Sequence, residues 1–169
     1  PNYKIFQKDF PFLWTQIRFA WEIWKKKPDV LWMPMHNIPF VRRKGLKTVV
    51  TIHDLAFKHF PQYFTKKDLC KLNFLADRSI KSADGIIAIS EATKNDILKF
   101  YPGIKEEKIK VIHHGFSADI FGENRDPEKE NNLKKDLGIE GEYILYSGAI
   151  QPRKNLERLI EAFDAYKNR

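Results

Sequence analysis

Four short runs of branched or apolar residues, each followed by a helical pattern or a turn, restrict this chain more than any other feature. Thr48-Val49-Val50-Thr51-Ile52 is β-branched and uninterrupted, which is the signature of a strand covered on both faces. Val30-Leu31-Trp32-Met33, with Asp29 before it, and Gly85-Ile86-Ile87-Ala88-Ile89 read the same way, as does Ile109-Lys110-Val111-Ile112. Between them lie helical stretches at 66–82, with Leu69, Leu72, Phe74, Leu75 and Ile80 as inward candidates, and at 91–100, opened by Ser90 as a cap. Strand and helix in alternation predict an α/β fold built on a Rossmann-like parallel sheet with flanking helices.

Upstream of these, residues 12–27 predict a helix rich in aromatics, from Phe12 and Trp14 to Trp21 and Trp24, stopped by Pro28. Apolar residues cover most of its circumference, so burial against the sheet is expected. Downstream, residues 122–142 turn polar and charged, with a short helix expected from Asn132 to Leu137. Tyr143 to Gly148 then reads as one more strand, and Leu156, Leu159, Ile160 and Phe163 as the inner face of a final helix. The expected organisation is a partial first domain over 1–121, a connecting segment over 122–142, and the first βα unit of a second Rossmann-like domain over 143–169.

The chain has 169 residues with 43% hydrophobic and 14% aromatic content, so a packed core rather than disorder is expected. No apolar run reaches the length of a membrane span. The single Cys70 cannot form an intramolecular disulfide and suits a reducing cytosol, as a small buried apolar residue. A cytoplasmic location is therefore expected. The net charge of +8 is uneven: residues 1–121 hold 21 basic and 12 acidic side chains, the remainder 9 and 10. An anionic partner or simply a solvated surface would each account for it. The cations do not interleave with aromatics in a nucleic-acid pattern, so nucleic acid is not an expected partner. Contact with an anionic membrane through Trp14, Trp21, Trp24 and Lys25–Lys27 is the non-enzymatic alternative, set against an aromatic helix packed on the sheet.

In open parallel sheets, ligands sit beyond the carboxyl ends of the strands. Those ends carry His36, His53-Asp54, Ser90-Glu91 and His113-His114-Gly115. Gln151-Pro152-Arg153-Lys154-Asn155 places two cations where the final helix opens. Unpaired N–H groups and the positive end of the helix dipole favour a diphosphate there, while solvated surface cations are the plain alternative. Asp54 suits bonding to loop N–H groups. No metal-ligand spacing occurs among the five histidines.

Thr51-Ile52-His53-Asp54-Leu55, then Ser82 through Lys94, then Lys108 to Gly115 with Phe121 beyond, then Tyr146-Ser147-Gly148 through Pro152-Arg153-Lys154-Asn155-Leu156, follow one another in an order that resembles retaining glycosyltransferases of family four, mannosyltransferase-like members most of all. The resemblance covers most of residues 28–167. It implies the GT-B architecture, two Rossmann-like domains facing across a cleft, with a nucleotide-diphosphate sugar as donor, a glycan or lipid-linked acceptor, no cofactor and no required metal. It implies that Arg153 and Lys154 hold the donor diphosphate, that His53 is the catalytic-centre residue beside the transferred sugar, and that Gly148, Gly115 and Ser90 belong to the binding surface. For Gly115 it implies a backbone shape that a side chain would block; for Ser90, helix capping remains the competing role. His114 stands where the family often has Asn, Ala149-Ile150 where it often has a cation, and no role attaches to His36. The paired glutamates eight positions apart and the early glycine-rich loop are missing, which fits a fragment cut at both ends and inactive alone. A nucleotide-sugar epimerase or a phosphorylase of the same fold are the enzyme alternatives. Peripheral contact with the inner face of the membrane accompanies the lipid-linked acceptor.

Overall fold

A computed structural model describes residues 13–122 and 126–168. The chain divides into two compact units, residues 1–114 and 115–169. The stretch 115–121 thus packs with the second unit.

In the first unit a π-helical turn, Thr15–Phe19, runs into α1 (Ala20–Lys26). β1 (Val30–Met33), β2 (Lys47–Ile52), β3 (Gly85–Ala88) and β4 (Ile109–Val111) form one parallel sheet in the order β1-β2-β3-β4. Met33 pairs with Val50, Ile52 with Ala88, and Ala88 with Val111, so the carboxyl ends of the four strands lie along one edge. Between β2 and β3 come α2 (Ala56–His59), a 3-10 turn at Pro61–Tyr63 and α3 (Lys66–Ser82). α4 (Glu91–Phe100) and a 3-10 turn at Glu106–Lys108 lead to β4.

The β-branched run of β2 becomes the middle of the core. Thr48, Val50, Thr51 and Ile52 are all buried, which requires cover on both sheet faces. Ile80 and Ala76 of α3, Ile86 and Ala88 of β3, and Ile97 of α4 complete the cluster. α3 meets it through Leu69, Leu72, Ala76, Ser79 and Ile80, the i, i+3, i+4 stripe. Phe74, expected inward, lies outside that stripe and packs edge-on against Phe40 instead, with centroids 5.7 Å apart. Cys70, expected buried, is exposed for the same reason.

Side-chain oxygens start both helices that flank the site. Thr65 accepts from the Asp68 N–H at 3.1 Å, and Ser90 from the Thr93 N–H at 3.1 Å. Asp84 ties β3 to β2 by accepting from the buried Thr48 N–H at 2.9 Å and from Lys47 Nζ at 3.0 Å. These bonds, the Thr48 N–H foremost, hold its carboxyl below the usual aspartate range. Asp77 accepts from the Tyr101 hydroxyl at 2.6 Å and from Lys58 Nζ at 3.2 Å, joining α2, α3 and the end of α4. Burial alone would raise the Asp77 carboxyl; the two donors and the Lys58 charge bring it below its ordinary value. Burial, reinforced by Asp77, drives the Tyr101 hydroxyl far upward, so it stays a proton donor.

The aromatic helix departs from expectation. Only Ala20 and Ile23 are buried, while Trp21 is 65% and Trp24 48% exposed, and Trp14 and Ile17 are also on the surface. One narrow stripe satisfies the sheet contact, and the surplus aromatics face outward. Phe12 lies outside the described residues. α1 ends at Lys27, which adopts a left-handed conformation at φ 48°, directly before Pro28.

In the second unit, α5 (Pro127–Asp136) is longer than the expected Asn132–Leu137 helix. Asp126 caps it by accepting from the Lys129 N–H, and Pro127 occupies its first turn. A 3-10 turn, Pro152–Lys154, precedes α6 (Leu156–Lys167). The strand expected at Tyr143–Gly148 does not form. An apolar run becomes a strand only when a neighbour takes its ladder hydrogen bonds, and the described residues of this unit offer none. None of its described residues is buried.

Candidate functional site

The parallel register gathers the histidines at the carboxyl edge of the first unit. His53 follows β2 directly. Its Nε2 lies 2.8 Å from the carbonyl oxygen of Pro34, just past β1. A carbonyl only accepts, so Nε2 carries the hydrogen, and in the neutral ring Nδ1 is then the acceptor. The His53 carbonyl accepts from the Thr93 hydroxyl of α4 at 3.1 Å, which fixes the backbone beneath the ring. The His114 ring stacks on His53 with centroids 5.2 Å apart and planes 20° from parallel. His113 Nδ1 donates to the Ile89 carbonyl at 3.0 Å, and the Ile112 N–H to the Ala88 carbonyl at 2.9 Å, extending the β3–β4 pairing to the point where His114 emerges.

His36 completes the group from the β1–β2 loop. Its Nδ1 is buried with no hydrogen-bond partner, and its ring lies 6.5 Å from that of Phe57. Burial lowers its pKa; Asp54 opposes this and His53 adds to it. The loop is braced from the π-helical turn. Gln16 Nε2 donates to Asn37 Oδ1 at 3.0 Å and to the Ile38 carbonyl at 3.3 Å, and Gln16 Oε1 accepts from the Phe40 N–H at 2.8 Å. The Ile38 N–H donates to the Ser79 hydroxyl of α3. Neither Gln16 nor the Pro34 carbonyl is legible in the sequence: a glutamine on a helix and a backbone oxygen carry no motif.

Asp54 takes the loop role anticipated for it, accepting from the Ala56 N–H at 3.0 Å. Ser90 Oγ serves as the cap of α4 and lies 3.1 Å from Thr93 Oγ1. Gly115 keeps an ordinary backbone, and a Cβ built on it would meet nothing within 4 Å. Within the described chain, then, no steric demand for glycine acts at Gly115.

The remaining candidates lie in the second unit. Arg153 and Lys154 sit on the 3-10 turn immediately ahead of α6, exposed, with Arg153 Nε donating to Gln151 Oε1 at 3.0 Å. Asn155 joins turn to helix in the left-handed conformation, φ 54°, and its side chain makes no capping bond. The first-turn N–H groups of α6 thus have no side-chain cap, and two cations directly precede them in the chain, an arrangement that attracts an anion. Gly148 is crowded: a Cβ there would stand 2.8 Å from the Tyr146 hydroxyl, which donates to the Ala149 carbonyl at 3.1 Å. Among the described residues no group of three or more His, Cys, Asp or Glu could hold a metal ion.

The lowered pKa of His36 has a consequence for stability. In the unfolded chain His36 titrates near 6.5, whereas in the fold it stays neutral to lower pH. Below that value the unfolded chain holds more protons, so acidification removes stability through this group. His36→Phe is expected to flatten the fall in urea midpoint between pH 7.5 and pH 5. An unchanged slope would show that His36 is not the neutral buried group described.

The profile of Glycosyltransferase Family 4 matches residues 2–120. The chain is 28% identical over 134 residues to the serotype-specific mannosyltransferase WbdA of Escherichia coli, an alignment covering 78% of this chain and 15% of that protein. It is 24% identical over 146 residues to the O-antigen chain mannosyltransferase B of Escherichia coli, covering 86% of this chain and 37% of the relative. An alpha-maltose-1-phosphate synthase of Mycolicibacterium smegmatis is 22% identical over 86 residues, half of this chain and 22% of that protein. The chain thus spans well under half the length of these relatives. With the profile covering most of the chain and the parallel sheet beneath it, this protein belongs to glycosyltransferase family 4.

Proposed function

We propose that the full-length protein transfers a hexose, mannose in the first instance, from a nucleotide-diphosphate sugar to a glycan or lipid-linked acceptor, with retention of configuration. The observation that carries this reading is the seating of His53 at the carboxyl edge of the sheet, its Nε2–H fixed on Pro34 and its ring held by His114. Two relatives named mannosyltransferases support the choice of sugar. In this reading His53 touches and orients the transferred sugar. Arg153, Lys154 and the first turn of α6 receive the diphosphate, whose charge grows as the glycosidic bond breaks. Gly148 belongs to the same binding surface, where a side chain would collide with the Tyr146 hydroxyl. No metal is required, so a chelator should leave the rate unchanged.

The direct test is incubation of the full-length protein with a panel of nucleotide-diphosphate hexoses and labelled acceptor. Nucleoside diphosphate should appear in step with glycosylated acceptor, and His53→Ala should lower the rate by about 100-fold. Conversion of the donor without consumption of acceptor would instead indicate an epimerase. The 169-residue chain alone should show no turnover.

The exposed aromatics bear on the acceptor. Trp21 and Trp24 stand outward beside Lys25, Lys26 and Lys27, and no described helix is long and apolar enough to cross a membrane. This supports peripheral contact with anionic lipid at the inner face of the membrane. The chain should sediment with vesicles containing anionic lipid at low salt and be released at high salt; absence from the pellet at both would remove the idea.

A further inference from the structure

We infer that His114 is a positioning residue for His53, holding the imidazole plane at the angle in which it meets the sugar; the inference rests on the reading of His53 given above. Among the described residues, two hydrogen bonds and a ring stack bear on His53. The Pro34 carbonyl holds Nε2–H at 2.8 Å, and the Thr93 hydroxyl holds the backbone carbonyl at 3.1 Å. The bond at Nε2 fixes where that nitrogen sits more tightly than it fixes the ring plane, because a single hydrogen bond to a carbonyl tolerates a broad range of plane angles. The stack with His114, 5.2 Å between centroids and 20° from parallel, is the contact that resists a turn of that plane.

His114 can do this because its own strand end is anchored. The Ile112 N–H and His113 Nδ1 both donate to the end of β3, at 2.9 and 3.0 Å, immediately before it. The ring of His53 is thus gripped by β1 through a carbonyl, by α4 through its backbone, and by the segment after β4 through a ring face. His36, which feels both Asp54 and His53, and His113, directly before His114, are titratable groups beside this pair. The function of His114 requires a flat ring rather than a proton, and this separates it from a proton donor or acceptor.

The test has two arms. In the 169-residue chain, nitrogen-15 imidazole spectra of His53 report the ring directly. His114→Ala should shift the His53 ring-proton resonances and speed exchange of Nε2–H with water, and His114→Phe should restore slow exchange. In the full-length protein, His114→Ala should lower kcat about tenfold with KM for the donor little changed, and His114→Phe should recover most of it. His53 resonances unmoved by His114→Ala would overturn the inference. So would full activity in His114→Ala alongside loss in His53→Ala, or failure of His114→Phe to rescue either readout. Should His53→Ala itself keep full activity, the reading of His53 fails, while the spectra still decide whether His114 holds the ring.

Discussion

Alanine at both Arg153 and Lys154 in the full-length protein is expected to slow sugar transfer by about 10²–10³-fold, mainly in kcat. In the proposed reaction the departing diphosphate gains charge as its bond to the sugar breaks, so groups that meet it would act more strongly on the transition state than on the bound donor. The two cations stand on consecutive residues of one 3-10 turn, ahead of a helix whose first-turn N–H groups have no side-chain cap. Asn155 in the left-handed conformation joins turn and helix, so cations and N–H groups are presented by one short, bent piece of backbone. Arg153 keeps its donors directed by the bond of Nε to Gln151. Each single alanine should cost less than the pair, and Arg153→Lys less than Arg153→Ala, because charge survives where the planar fork does not. Lys167→Ala, at the far end of α6, is the control and should change the rate by no more than about twofold. The measurement is steady-state release of nucleoside diphosphate coupled to acceptor glycosylation. A double variant within threefold of the parent would remove these residues from the phosphate site.

The parts of this fold that could be read in the sequence are those where a local pattern and a buried surface coincide. Thr48 to Ile52 could only be a strand covered on both faces, and Ser90 marks a helix start because its oxygen is the nearest acceptor for an orphan N–H group. Where outcome depended on a neighbour, the pattern misled. Tyr143 to Gly148 has the composition of a strand, yet pairing partners decide strands, and none is present among the described residues. The helix through Trp14, Trp21 and Trp24 is apolar nearly all round, but a helix buries only the face its neighbours reach, here Ala20 and Ile23. Asp126-Pro127 looked like a loop and is a helix start, a cap followed by a first-turn proline. The same division runs through the site. The strand ends placed His36, His53, His113 and His114 along one edge, whereas the His53–Pro34 bond and the His53–His114 stack are relations between residues distant in sequence and carry no local signal.

Ile52→Ala is expected to destabilise the first unit by about 3–4 kcal/mol, the full range of a buried isoleucine in a site that cannot collapse. Ile52 is wholly buried, at 0% exposure, at the last position of β2, opposite Ala88 of β3. Ala88, its register partner on β3, is small and itself wholly buried, so it cannot fill the space. The backbone on either side is fixed, by ladder pairing through β2 and β3 and by the Thr93 hydroxyl on the His53 carbonyl one residue later. A cavity at Ile52 therefore persists, one residue before His53. The matched control is Ile144→Ala in the second unit, where the side chain is 64% exposed and the expected change is below about 0.5 kcal/mol. Urea denaturation followed by far-ultraviolet circular dichroism measures both, and a shift in midpoint without a change in slope would assign the loss to the native core. Ile52→Val should recover most of the difference, leaving about 1 kcal/mol, because only one methyl is lost. A loss under about 1 kcal/mol for Ile52→Ala would mean that this strand is not sealed between two layers, and the edge that carries His53 would then lack the rigid support its chemistry requires.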